Sequence, residues 1–226
     1  MALGKKELFP QGAPLAERRP EPPSERRPAG RSTPVTLALI AVSGLVFLAG
    51  GLDGPWGPGR LYGPAVAKGE WWRLFTTLVT HGGPLHLVFN MSGVWTVGRV
   101  LEVLLGSVRF SLVTLVTGLG AGLFVLQANY EVPTVGMSGA ILGWVGLLLP
   151  IIRREGRRQL VVWLVQVTLI SLVPGVSWAG HLGGFLSGLP LGLALRKGSK
   201  AFSVALPVTA FVLAVLTFVA GTGRFR

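Results

Sequence analysis

The sequence predicts an all-α fold, a polytopic bundle of transmembrane helices, and three observations carry that prediction. Seven apolar runs follow one another along the chain. Only 13% of the residues are charged, against roughly 25% in an average soluble domain. Glycine, at 33 residues, is about twice its usual share of roughly 7%, the excess expected where helix backbones approach closely inside a bilayer.

Residues 1–33 are rich in Pro, Arg and Glu and nearly free of bulky apolar side chains. Such a composition cannot bury a core, so this segment is expected to be a disordered basic tail. The first apolar run, Val35 to Gly51, is too long for the apolar region of a signal peptide and has no small-residue cleavage site after it. It is read as a membrane span. Further runs lie at about Leu85 to Leu105, Phe110 to Leu126, Met137 to Ile152, Leu160 to Val173, Trp178 to Leu195 and Phe202 to Ala220. A span needs roughly 17–25 residues, so the runs from Met137 and Leu160 are short and fit buried core helices. Residues 34–200 are expected to form a six-helix core, and 201–226 a seventh helix with the C-terminus.

The formal charge of +12 does not point to nucleic acid, because the basic residues cluster at the ends of apolar runs instead of forming one basic and aromatic face. It reads as topology. With the N-terminal tail cytoplasmic, Arg99, Arg109, the cluster Arg153, Arg154, Arg157 and Arg158, and the group Arg196, Lys197 and Lys200 fall on the same side, placing 16 of the 21 Lys and Arg inside. The excess of positive charge on cytoplasmic loops selects this orientation. Arg60, Lys68, Arg73, Arg224 and Arg226 then lie outside, and the runs beginning near 84, 137 and 178 all enter from the outer face.

Those three runs carry the polar groups that hydrocarbon tolerates least. The chain has three histidines: His81 and His86 precede or begin one run, and His181 begins another. Asn90 lies one turn beyond His86, and Ser138 opens the third run within TVGMSGA. Unpaired polar groups in hydrocarbon cost several kcal/mol each, so such groups mark candidate sites. Singly, each has an ordinary structural reading: a serine bonding its own helix, an asparagine joining helices, a histidine capping interfacial backbone. Their coincidence at one depth is what points to chemistry.

A metal site is not expected, since His81 and His86 are separated by Gly82, Gly83 and Pro84 and no HExxH occurs. A Ser, His, Asp triad is equally hard to build. Asp53 is the sole aspartate and lies in the loop after the first span, while Glu102 follows His86 by 16 residues, roughly 24 Å along a helix. Serine chemistry would therefore run on a dyad, with His181 taking the proton of Ser138. Asn90, His86 and the backbone N–H of Ser138 are the candidate donors to an oxyanion. No cofactor is implied. Gly184, Gly188 and Gly192 give the His181 helix a smooth face, and Gly139 and Gly143 give the Ser138 helix a matching one.

At this point the residues resemble the rhomboid family. GMSGA is similar to its GxSG serine motif, GHLGGFLSG to its histidine followed by spaced glycines, HGGPLHLVFN to its paired histidines and asparagine, and GEWWR at 69–73 to the Trp-Arg element of its first loop. The resemblance covers residues 35–195 or so. It implies an intramembrane serine protease acting on transmembrane segments of other proteins within the lipid bilayer, with Ser138 as nucleophile, His181 as base, His86 and Asn90 at the oxyanion, and a six-helix core. A bacterial cytoplasmic membrane is the expected location. Two departures stand out: Leu142 occupies a place where many relatives have an aromatic residue against the histidine ring, and Gly180 replaces an alanine. The competing readings are a catalytically inactive relative that binds membrane clients, and a transporter, against which the lack of repeat symmetry argues. His81 either lines the mouth of the site or ends the loop. Trp72 and Arg73 are expected to anchor that loop at the interface, and Arg99 to pair with Glu102, three residues on.

Overall fold

The computed structural model describes residues 32–50, 57–173 and 175–222. Asp53, Arg224, Arg226 and the tail 1–31 lie outside these residues. Among the described residues the fold is helical, with no strand beyond an isolated bridge between Leu61 and Thr134.

Helix α1 spans Pro34–Gly50. The loop after it carries two short helices, α2 (Gly63–Ala67) and α3 (Arg73–Thr76). The next run forms α4 (Pro84–Gly93), a π-helical turn (Val94–Gly98) and α5 (Arg99–Leu105), which together make one apolar stretch of 22 residues. Gly106 breaks it, and α6 runs from Ser107 to Ala128. Then follow α7 (Ser138–Leu148), α8 (Arg154–Ile170), α9 (Trp178–Lys197) and α10 (Ser199–Gly221).

Among the described residues, three stretches are long and apolar enough to cross a membrane by length and composition, namely Pro84–Leu105, Ser107–Ala128 and Ser199–Gly221. The sequence boundaries shift most at α7 and α8. Helix α7 has 11 residues, about 16 Å at 1.5 Å per residue, because Pro150 and the turn around it stop the helix while the apolar composition continues. Helix α8 starts at Arg154 instead of Leu160, since Arg and Gln are good helix formers and the apolar run marks only the part with oily neighbours.

Helix α7 lies at the centre: every residue from Gly139 to Leu148 is buried. Trp144 packs on Phe110 of α6, ring centroids 5.0 Å apart, in a core that also holds Val94, Leu147, Leu191 and Phe202. The outer faces are the reverse of a soluble protein's. Leu48 is 83% and Phe211 71% exposed, in company with many other large apolar side chains on α1, α4, α6 and α10. Water would penalise so much contiguous apolar surface; lipid does not.

Helices α7 and α9 run parallel and in register. A Cβ on Gly184 or Gly188 would overlap the carbonyl oxygen of Gly139 or Gly143, and one on Gly192 would overlap that of Leu147. The four-residue step on both helices is what aligns them. Helix α6 packs antiparallel to both, with Ala121 against Gly139 and Val125 against Gly180.

Glu102 corrects the expectation of a pair with Arg99. Its carboxylate is 3% exposed and faces the start of α1, where it accepts from the backbone N–H groups of Val35 (2.9 Å) and Thr36 (2.8 Å) and from the Thr36 hydroxyl (2.7 Å). Ser107 adds a fourth bond at 2.6 Å. The first N–H groups of a helix lack internal acceptors, and a carboxylate there also meets the positive end of the helix dipole. Arg99 instead lies over the Trp95 ring, 4.3 Å from its centroid. Arg73 departs in the same way. It is buried, donates to Pro58 O (2.7 Å) and Arg60 O (3.0 Å) and pairs with Glu70, so it braces the loop from within, whereas Trp72 is exposed. Trp71 stacks on Phe218 of α10 at 5.3 Å.

Candidate active site

The starts of α4, α7 and α9 meet at one end of the bundle. Ser138 is the first residue of α7, so its backbone N–H is one of those that the helix itself leaves without an acceptor. His181 sits in the first turn of α9, which is fixed by Ser177: its hydroxyl accepts from Gly180 N at 3.2 Å and its carbonyl from His181 N at 3.1 Å. The parallel register of α7 and α9 then brings two side chains 43 residues apart into contact, with His181 Nε2 2.7 Å from Ser138 Oγ. Both residues are half-buried.

The turn before Ser138 requires glycine twice over. Gly136 has φ +113°, which side chains rarely adopt, and a Cβ there would lie 2.6 Å from His86 Nε2. That Cβ would also lie 3.8 Å from Asn90 Nδ2, so both α4 side chains face the segment leading to the serine. That segment is held by Gly136 N donating to Thr77 O (2.9 Å) and by Thr77 Oγ1 donating to Thr134 O (2.8 Å).

His86 Nδ1 accepts a long bond, 3.4 Å, from Gly82 N. A neutral imidazole that accepts at Nδ1 carries its proton on Nε2, the nitrogen next to Gly136. Asn90, buried one turn on, donates from Nδ2 to His86 O at 2.8 Å. His81 is 1% exposed, lies edge-on to His86 with ring centroids 5.3 Å apart, and bonds Val79 O at 3.3 Å. Burial first, and then His86, lower its pKa to about 4, so at neutral pH it is an uncharged packing partner of the His86 ring.

The structure thus brings Ser138 and His181 into hydrogen-bond contact and sets His86 and Asn90 beside the serine turn. Among the described residues no cluster of three or more His, Asp or Glu side chains forms, and no carboxylate appears among the hydrogen-bond partners of His181. One partner was not foreseen. Ser171, the residue that ends α8, places its hydroxyl 2.6 Å from His181 Nδ1. A serine closing an apolar helix is an ordinary cap in sequence, and only the fold-back of the next ten residues reveals its neighbour. The lack of an aromatic residue at Leu142 was the one hint that something else must orient the ring.

A family model described as "Rhomboid domain" matches residues 68–198, more than half of the 226-residue chain. The chain is similar to "Rhomboid protease GluP" of Bacillus subtilis (strain 168), 35% identical over 140 residues, 58% of this chain and 27% of that protein. It is 32% identical to "Putative rhomboid protease YdcA" of the same organism over 152 residues, 62% of this chain and 76% of that protein. "RHOMBOID-like protein 5" of Arabidopsis thaliana is 32% identical over 148 residues, 61% of this chain and 48% of the plant protein. The chain therefore spans about a quarter of GluP and about half of the plant relative. With a family model over more than half of the chain and a relative, YdcA, 32% identical and 76% covered, this integral membrane protein belongs to the rhomboid family.

Proposed function

We propose that the chain is an intramembrane serine endopeptidase that cleaves transmembrane segments of other proteins by a Ser138 and His181 dyad. The observation that carries this reading is the 2.7 Å contact between His181 Nε2 and Ser138 Oγ at the start of α7. A serine hydroxyl is a weak nucleophile at neutral pH until a base removes its proton.

In the reaction, Ser138 Oγ attacks the scissile carbonyl as His181 Nε2 takes its proton. The carbonyl oxygen becomes an oxyanion and accepts from the Ser138 N–H, from Asn90 Nδ2 and from His86 Nε2–H. Their convergence on the turn at Gly136 supports this role, since fixed donors aimed at developing charge lower the barrier most in a site of low dielectric. His181 then returns the proton to the leaving amine as the C–N bond breaks, leaving an ester on Ser138. Water attacks that ester with His181 again as base, releasing the acid and restoring the hydroxyl. The proton and the bonds balance within substrate, water and the two side chains.

We place the core at 34–200 with α10 as a seventh helix, the N-terminus in the cytoplasm, and the protein in a bacterial cytoplasmic membrane; the skew of Lys and Arg supports the orientation. Cleavage of a model transmembrane substrate in proteoliposomes, together with fluorophosphonate labelling, tests the proposal. Wild type is expected to cleave and to be labelled at Ser138 with a chelator present, and Ser138→Ala and His181→Ala to do neither. Cleavage by the Ser138→Ala protein would refute the dyad.

A further inference from the structure

We infer that Ser171 is a positioning residue for His181: its hydroxyl accepts the Nδ1 proton and so leaves the Nε2 lone pair facing Ser138, the place a carboxylate holds in a triad. The inference rests on the dyad reading above.

The argument is a proton count on one hydroxyl. Ser171 Oγ lies 2.7 Å from Val167 O and 2.6 Å from His181 Nδ1. A serine hydroxyl has one hydrogen and two lone pairs. The Val167 carbonyl can only accept, so the hydrogen between it and Oγ belongs to Ser171. The bond to His181 must then run the other way, Nδ1–H donating to Oγ. A neutral imidazole protonated at Nδ1 is bare at Nε2, and Nε2 is the atom 2.7 Å from the Ser138 hydroxyl.

The opposite assignment fails at both ends. Were Ser171 to donate to Nδ1, its oxygen would face the Val167 oxygen with no hydrogen between them, and Nε2 would carry the ring proton. His181 would then donate to Ser138 in place of removing its proton, and the dyad would be inert.

Burial adds weight to the contact. Ser171 is 7% exposed, whereas none of the residues of α8 proper is buried. The bond from Ser171 N to Val167 O at 2.9 Å continues the helix to this residue, so the hydroxyl is presented from the last turn of regular backbone. Leu142 offers no ring for His181 to stack on, and Ser171 supplies the orientation by a bond at the ring's far edge.

The full-length protein in proteoliposomes allows a test in two parts. The first leaves Ser171 unchanged. With histidine labelled by ¹⁵N, the three imidazoles are separated by His81→Gln and His86→Gln, and the neutral His181 ring is expected to carry its proton on Nδ1; a proton on Nε2 overturns the inference. The second part is kinetic. Ser171→Ala is expected to lower kcat by about 10-fold or more, less than the roughly 10⁴-fold that follows loss of a triad carboxylate, with KM within about threefold. Ser171→Thr keeps a hydroxyl able to bond the carbonyl four residues back and is expected to stay within about threefold of wild type. Wild-type kcat in Ser171→Ala, or an equal loss in Ser171→Thr, overturns the inference. Ser138→Ala, measured alongside, separates the two claims: if it still cleaves, the dyad itself is wrong, and if it is dead while Ser171→Ala is fully active, only the role of Ser171 falls.

Discussion

Asn90 is buried on α4 with one amide bond spent on His86 O and with Oδ1 lacking a partner among the described residues. Oδ1 can only accept and offers an oxyanion nothing; the second hydrogen on Nδ2 is the group that can donate to an oxygen becoming negative during the reaction. Asn90→Ala is therefore expected to lower kcat by about 10²- to 10³-fold, or about 2.7–4 kcal/mol, while KM changes by less than about threefold, because the oxygen becomes a strong acceptor mainly in the transition state. A loss confined to KM would assign Asn90 to substrate binding instead. Residues of this kind are legible in the sequence, since an amide, a hydroxyl and imidazoles stand out against apolar helices. Ser171 and Glu102 are not. Each takes its meaning from a partner on another element, ten residues away for Ser171 and 66 or 67 for Glu102, and no spacing rule reaches across such gaps.

Between elements, the contact that positions the dyad is the face shared by α7 and α9, where glycine lets one helix rest on the other's carbonyl groups. Backbone cannot move aside as a side chain can, so Gly184→Ala is expected to destabilise the protein by about 1–3 kcal/mol or more and to abolish cleavage. At Gly44 on α1 a Cβ would meet open space, with nothing within 4 Å. There alanine is expected to leave the melting temperature unchanged or raise it, through up to about 1 kcal/mol of helix propensity. Thermal unfolding of both variants in detergent checks the contrast; equal melting temperatures would mean that the glycine face is not what holds the helices. The repeat of four at Gly184, Gly188 and Gly192 could be read directly. The true length of α7 could not, because composition reports what surrounds a segment and not where its hydrogen bonds stop.

For the molecule as a whole, the apolar exterior and the skewed basic residues make orientation the property to measure. The chain has no cysteine, so single cysteines can be introduced without background. Lys68 and Arg157 are both exposed. In intact cells Lys68→Cys is expected to react with an impermeant maleimide and Arg157→Cys only after lysis; the reverse pattern would invert the topology. Seven apolar runs were visible in the sequence, as was their assembly into one bundle, whereas which helix sits innermost was not: α7 is about as apolar as α1, and its central place follows from small residues on α6 and α9 that accept it from two sides. The order of the helices has a further consequence for how the protein is made. Ser138 is synthesised 43 residues ahead of His181, and α8 must be threaded before α9 can lie parallel to α7. At roughly 5–20 residues per second the nascent chain carries its serine for about 2–9 seconds with no base beside it. On the dyad reading a half-made copy cannot cut its neighbours in the translocation machinery, and hydrolytic activity becomes a report that insertion is complete.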